Sequence, residues 1–153
     1  MESAPTPKII VLDTNAVLDA LLFRDPSCAS LTGQLASGQL HWIASSAMRA
    51  ELAHVLSRPP FDELRTQAED LWMRWDNWCR PTEAGVPLGE ALRMRCTDPD
   101  DQIFIDLALS RGAQWLISRD RAVLKLAKRA RALGLHILTA AAWATQAEES
   151  PQE

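Results

Sequence analysis

The chain has 153 residues, 16 Lys and Arg against 20 Asp and Glu, and a formal net charge of −4. That length suits one domain able to bury about two-thirds of its unfolded surface without staples, and 47% apolar with 24% charged residues is globular rather than disordered. No apolar run approaches the roughly 18 residues of a membrane span, Met1 to Lys8 carries no signal-peptide core, and an acidic chain does not hold nucleic acid by global positive charge, so any such contact must be local.

The polar, proline-containing ends at 1–7 and 148–153 read as flexible termini around a single domain at 8–147. Ile9-Ile10-Val11-Leu12 reads as a strand buried on both faces, ending at Asp13-Thr14-Asn15. Ala16 to Phe23 then reads as helix, and helices follow at about 27–37, 46–57 and 61–78, with a short strand near Leu40 to Ile43. Pro59-Pro60 divides two of these helices. A further short helix is expected over Leu88 to Met94. Asp98-Pro99-Asp100-Asp101 opens the apolar stripe of Ile103, Phe104, Leu107 and Ala108, which Gly112 closes. Trp115-Leu116-Ile117 reads as a strand, Arg121 to Ala132 as a helix ended by Gly134, His136-Ile137-Leu138 as a strand, and Ala140 to Ala147 as a helix capped by Thr139. Strands alternating with helices predict an α/β fold with parallel strands and helices on both faces.

Four acids stand where such a fold gathers chemistry. Asp13 follows the first strand, Asp120 follows the Trp115 strand, Asp101 lies in the first turn of a helix, and Glu51 lies on a helix rich in alanine and leucine. Neighbouring strand ends of a parallel sheet open into one crevice, so Asp13 and Asp120 can meet there if their strands are adjacent. Carboxylates about 4 Å apart repel by roughly 4 kcal/mol at an effective dielectric near 20. A hard divalent cation, Mg²⁺ or Mn²⁺, offsets that repulsion with oxygen ligands. No His or Cys stands near enough in the sequence to suggest zinc. Each acid also has a structural reading. Asp13 and Asp120 can cap the helices that follow them, Asp98 and Asp101 can form a capping pattern around Pro99, and Glu51 can be a solvated helix residue.

The motifs carrying these acids resemble those of PIN-domain nucleases. VLDTNAVLDALL resembles the family's opening, RAELAHVLSRPPF its central helix, CTDPDDQIFIDLALSRGAQWLISRDRAVLKL its third and fourth acidic segments, and HILTAAAWA its closing strand and helix. The resemblance runs from Lys8 to Ala144, and the subgroup it points to is described as toxin components of toxin–antitoxin pairs. Thr97 stands where that subgroup often has Arg, and Ala141 where it often has Pro; neither change removes a carboxylate.

The resemblance implies a three-layer α/β/α sandwich around a parallel sheet of four to five strands. It implies cleavage of single-stranded RNA with Mg²⁺ or Mn²⁺ held by Asp13, Asp101 and Asp120, with Glu51 binding the metal directly or through water or orienting the attacking water. Asn15 and Ser118 would support these carboxylates from behind, as would Asp98. It further implies a homodimer inhibited by a cognate antitoxin protein.

Arg111, Arg119, Arg121, Lys125, Lys128, Arg129 and Arg131 cluster after the DPDD segment. They read either as a local phosphate-binding face, with Arg119, Arg121 and Lys125 the best placed, or as the solvated side of a helix. Trp72, Trp75 and Trp78 recur every third residue, which suits packing or an interface better than base stacking. Cys28, Cys79 and Cys96 are odd in number and form no C-x-x-C pair, as expected in a reducing cytoplasm. Two other functions compete. A haloacid-dehalogenase-like phosphatase also places an Asp after a strand, but wants a second acid where Asn15 stands. A catalytically silent binding or adaptor module would have no use for all four carboxylates.

Overall fold

A computed structural model describes residues 8–86, 95–96 and 99–149. Its centre is a five-stranded, fully parallel sheet of β1 (Lys8–Leu12), β2 (Leu40–Ala44), β3 (Cys79–Pro81), β4 (Trp115–Ile117) and β5 (His136–Leu138), in the order β3-β2-β1-β4-β5. Ile10, Val11, Leu12, Leu116 and Ile117 are all buried, which is why β1 and β4 read as continuous apolar runs rather than alternating ones.

The helices are α1 (Thr14–Val17), α2 (Ala29–Ser37), α3 (Ser46–Leu56), α4 (Arg65–Trp78), α5 (Gln102–Ser110), α6 (Arg121–Leu124), α7 (Ala127–Ala132) and α8 (Ala140–Glu149). The chain steps from β1 outward to β3, then returns to the other side of β1 for β4 and β5. Right-handed crossovers in opposite directions place helices on opposite faces of the sheet. α1 to α4 pack among themselves together with α8, while α5 packs on β1 and β4 and α7 on β5. The order of strands reverses between β1 and β4, and in an open parallel sheet the rim at that reversal is where ligands bind.

Several elements differ from expectation. The helix expected over Ala16 to Phe23 is α1 followed by a π-helical turn, Leu18–Leu22, in which Phe23 N–H donates to Leu18 O at 2.9 Å. The expected 61–78 helix begins as a 3-10 turn, Phe61–Glu63, and restarts after Leu64 as α4. The expected Arg121–Ala132 helix is two, α6 and α7, broken at Lys125 and Leu126. β3, unforeseen in sequence, follows α4 directly. α8 runs on to Glu149, two residues past the helix end expected near Ala147. The helix expected over Leu88 to Met94, the other terminal residues, and Thr97 with Asp98 lie outside the described residues.

The tryptophan ridge is packing. Trp75 is buried edge-on against Trp42 with ring centroids 4.8 Å apart, Trp72 stacks edge-on against Trp75 at 5.6 Å, and the Arg49 guanidinium covers Trp72 at 4.3 Å. Trp78 is half-buried against the same core. Trp42 and Trp143 are fully buried, whereas Trp115 is only half-buried and meets Trp143 edge-on. Cys28 and Cys79 are buried, Cys96 is half-buried, and all three are free thiols.

The chain after β3 is strapped to α5. Thr82 N–H donates to Ala44 O at 3.0 Å, and Arg111 donates to Thr82 Oγ1 at 3.2 Å and to Glu83 O at 3.0 Å. Arg111 therefore leaves the basic face assigned to it and holds a loop instead. Gly85 lies so close to α5 that a Cβ there would meet Leu107 Cα at 2.5 Å.

Candidate active site

Asp13 is the first residue past β1. Its own N–H still belongs to the sheet, donating to Ile117 O at 3.1 Å, so its carboxylate is fixed at the rim where β1 meets β4. The side chain is 2% exposed. Oδ1 accepts from Ala16 N–H at 2.9 Å, capping α1, and Oδ2 accepts from the Ser118 hydroxyl. Ser118 is held in turn by its N–H to Leu138 O at 3.0 Å. Three neighbouring strands thus converge on one carboxylate through a serine expected to support it.

Asp120 closes the same loop. Its N–H donates to Ser118 Oγ at 3.0 Å and its Oδ1 accepts from Ala122 N–H at 2.8 Å, capping α6. Both Asp13 and Asp120 therefore cap the helices that follow them, as one reading of the sequence expected, and both stand at the rim where β1 meets β4. Burial pushes the Asp13 carboxyl up to about 6, against the pull of the Ser118 and Ala16 hydrogen bonds, and the Asp120 charge raises it further while Arg119 lowers it. A buried acid whose pKa is raised in a rim crevice makes that crevice the candidate site.

Glu51 is half-buried on α3, which Ser45 caps, and accepts from Thr14 Oγ1 at 2.5 Å. Thr14 thereby links Glu51 to the residue next to Asp13. Asp101 is half-buried at the end of a 3-10 turn, Pro99–Asp101, that leads into α5. A helix between parallel strands runs antiparallel to them, so the first turn of α5 opens onto the rim that carries Asp13. The structure therefore brings Asp13, Ser118 and Asp120 into one hydrogen-bonded group and bonds Glu51 to Thr14 beside it, while the direction of α5 puts the Asp101 turn at the same end of the sheet. Among the described residues no three or more His, Cys, Asp or Glu side chains are gathered into a group able to hold a metal ion. What the crevice does offer a hard cation is the mutually repelling pair of buried Asp13 and half-buried Asp120, with only oxygen donors. Asn15 is half-buried on α1 and makes no side-chain hydrogen bond to a described residue. Asp98 lies outside the described residues.

Arg119, between Ser118 and Asp120, pairs with Asp19 of the π turn, Nε to Oδ2 at 2.8 Å. Arg121 and Lys125 are exposed at the two ends of α6. Sequence reasoning missed Thr14 and Asp19. Asp19 had one signal, a lone charge inside the apolar VLDALL, but its partner lies a hundred residues away. A hollow of about 270 Å³ lies between α7, β5 and α8, lined by Arg131, His136 and Gln146 among others, and none of the four carboxylates lines it.

The sequence pattern described as the PIN domain matches residues 9–122. Seven chains of solved structures match this one. Among them is a chain of the crystal structure of VapBC2 from Rickettsia felis bound to a DNA fragment from their promoter, with TM-score 0.57 and 16% identity, covering 84% of this chain and 96% of that one. At that identity the likeness speaks to the fold. No curated protein matches in sequence.

Proposed function

The chain belongs to the PIN domain family, and from that membership we propose that it is an endoribonuclease that cleaves single-stranded RNA with Mg²⁺ or Mn²⁺, as the toxin of a toxin–antitoxin pair. The observation that carries the reading is the buried Asp13 carboxylate, held by Ser118 and opposed by Asp120 at the strand-order reversal.

In this reading Asp13 and Asp120 would hold the cation, with Asp101 and Glu51 completing its surroundings from α5 and α3. A bound ion would supply Lewis acidity, lowering the pKa of water and offsetting charge on the phosphate. Ser118 and the Ala16 amide orient Asp13, the Ala122 amide orients Asp120, and Thr14 orients Glu51, so each acid enters the reaction already aimed. Arg119, Arg121 and Lys125 provide the local positive charge that an acidic chain otherwise lacks for holding RNA. The phosphatase reading falls with family membership. The homodimer, the antitoxin partner and a cytoplasmic setting belong to the same proposal. The free thiols support the last, and among the described residues no helix is long and apolar enough to cross a membrane.

The test is cleavage of a labelled single-stranded RNA. Wild type is expected to cut it with Mn²⁺ and not with chelator, and Asp13→Asn to lose cleavage while keeping its circular dichroism spectrum. Full activity in Asp13→Asn overturns the assignment. A wild type that is inert, and gives no heat with Mn²⁺ in calorimetry, is instead the silent binding module. Sedimentation reads the dimer, and co-purification with the product of the reading frame immediately upstream reads the antitoxin.

A further inference from the structure

Arg119 stands at the mouth of the crevice with its charge already committed. Asp19 takes it side-on, Oδ2 from Nε at 2.8 Å and Oδ1 from Nη2 at 3.5 Å. The carboxylate side is sheltered and the guanidinium side open, with 22% and 58% of the two side chains exposed. The backbone around Asp19 is irregular and firmly held. The π turn carries it, Asp25 N–H donates to Asp19 O at 2.9 Å, and the intervening Arg24 has φ 53°, a left-handed conformation rare for a residue with a Cβ. Single π turns recur at functional sites. Asp25 lies within electrostatic reach of Arg119 as well, yet its carboxylate is spent on Ser27 N–H and Oγ, both at 2.9 Å.

A phosphodiester entering this crevice meets Asp13 and Asp120, and needs a cation at the mouth to approach them. A guanidinium fork matches phosphate oxygens in geometry and charge. An exposed Arg–Asp pair is weak enough to be given up for such a ligand. We propose that Asp19 is a positioning residue, a counter-ion that holds Arg119 in reserve at the mouth of the site until an RNA phosphate displaces it. The inference rests on the ribonuclease reading and adds to it a built-in brake on substrate binding.

The test titrates a fluorescein-labelled single-stranded oligoribonucleotide in chelator and reads anisotropy, so binding is seen without cleavage. Asp19→Asn is expected to bind roughly two- to fivefold tighter, the range set by the worth of an exposed ion pair. Its log–log salt slope should steepen by up to about 0.7, one phosphate contact on a single strand. Asp25→Asn removes the same charge beside Arg119 without releasing the guanidinium, and should give less than half that gain. Arg119→Gln should weaken binding and flatten the slope, and adding Asp19→Asn to it should change nothing. Equal gains from the two aspartate variants, a gain that survives in the Arg119→Gln background, or an Arg119→Gln variant that binds like wild type overturns the proposal. If wild type cleaves RNA with Mn²⁺ while Asp19→Asn binds unchanged, the brake alone is overturned; if wild type neither binds nor cleaves RNA, the ribonuclease reading goes with it.

Discussion

Asp13 is a carboxylate that the fold buries and then holds by hydrogen bonds, and its displaced pKa of about 6 records which influence wins. The consequence for stability has a definite sign. Below about 4, near the ordinary Asp value, the group is protonated in folded and unfolded chains alike and costs nothing. As pH rises the unfolded chain ionises first while the folded one still holds its proton, so stability is lost between about pH 4 and 6, by about 3 kcal/mol in all. Asp13→Asn removes that term and keeps a good cap for α1. In chelator the variant is therefore expected to be more stable than wild type at pH 7 by up to about 3 kcal/mol and level with it near pH 4, as urea denaturation at the two values would read. A difference that does not change with pH would sink the burial argument. The four acids were legible in the sequence because each stands at an element junction or within a motif. Asp19 was not, because nothing local announces a partner 100 residues away.

The same division holds for the elements. β1, β4 and β5 are short apolar runs, each with at least one isoleucine, and the sequence expectation places them within a residue of where they stand. β3 was invisible because Cys79-Arg80-Pro81 has no β-branched residue and carries a proline; its pairing with β2 at the sheet edge makes it a strand. The π turn was equally hidden, since Leu18–Leu22 continues the apolar pattern of α1 and differs only in hydrogen bonding. α5 shows how packing along a helix governs what its first turn delivers to the rim. Gly85 is the only residue type whose backbone can lie this close to Leu107 Cα, and the Arg111 clamp holds the same loop. Gly85→Ala should force loop and helix apart, costing about 1–3 kcal/mol as overpacking does. Because α5 carries the Asp101 turn, cleavage should fall more than the loss of folded protein explains. A melting curve with an activity assay at a temperature where the variant is fully folded separates the two. Trp75 makes a contrasting case: Trp75→Ala empties the core beside Trp42 and should cost about 3–5 kcal/mol, with activity per folded molecule retained.

At the scale of the whole molecule, the topology sets the conflict that the residues express. A strand order that reverses beside β1 leaves a gap at the rim, and the loops after β1 and β4 both deliver an acid to it. An acidic chain has no diffuse positive field to soften that repulsion. A cation bound at the rim would relieve it, and whatever binds the folded chain but not the unfolded one must raise its stability by mass action. A cation at one hundred times its Kd would add about 2.7 kcal/mol. Melting should therefore occur at a higher temperature in millimolar Mn²⁺ than in chelator, and the increment should vanish in Asp13→Asn and shrink in Asp120→Asn. It should survive in Asp19→Asn, whose carboxylate is turned to Arg119 rather than to Asp13. The pattern across the three variants distinguishes a cation seated between the two rim acids from one held loosely by the net negative charge, since the latter would shift all three alike. An increment equal in wild type and Asp13→Asn would place the ion elsewhere and leave the buried carboxylate with no partner in the reaction.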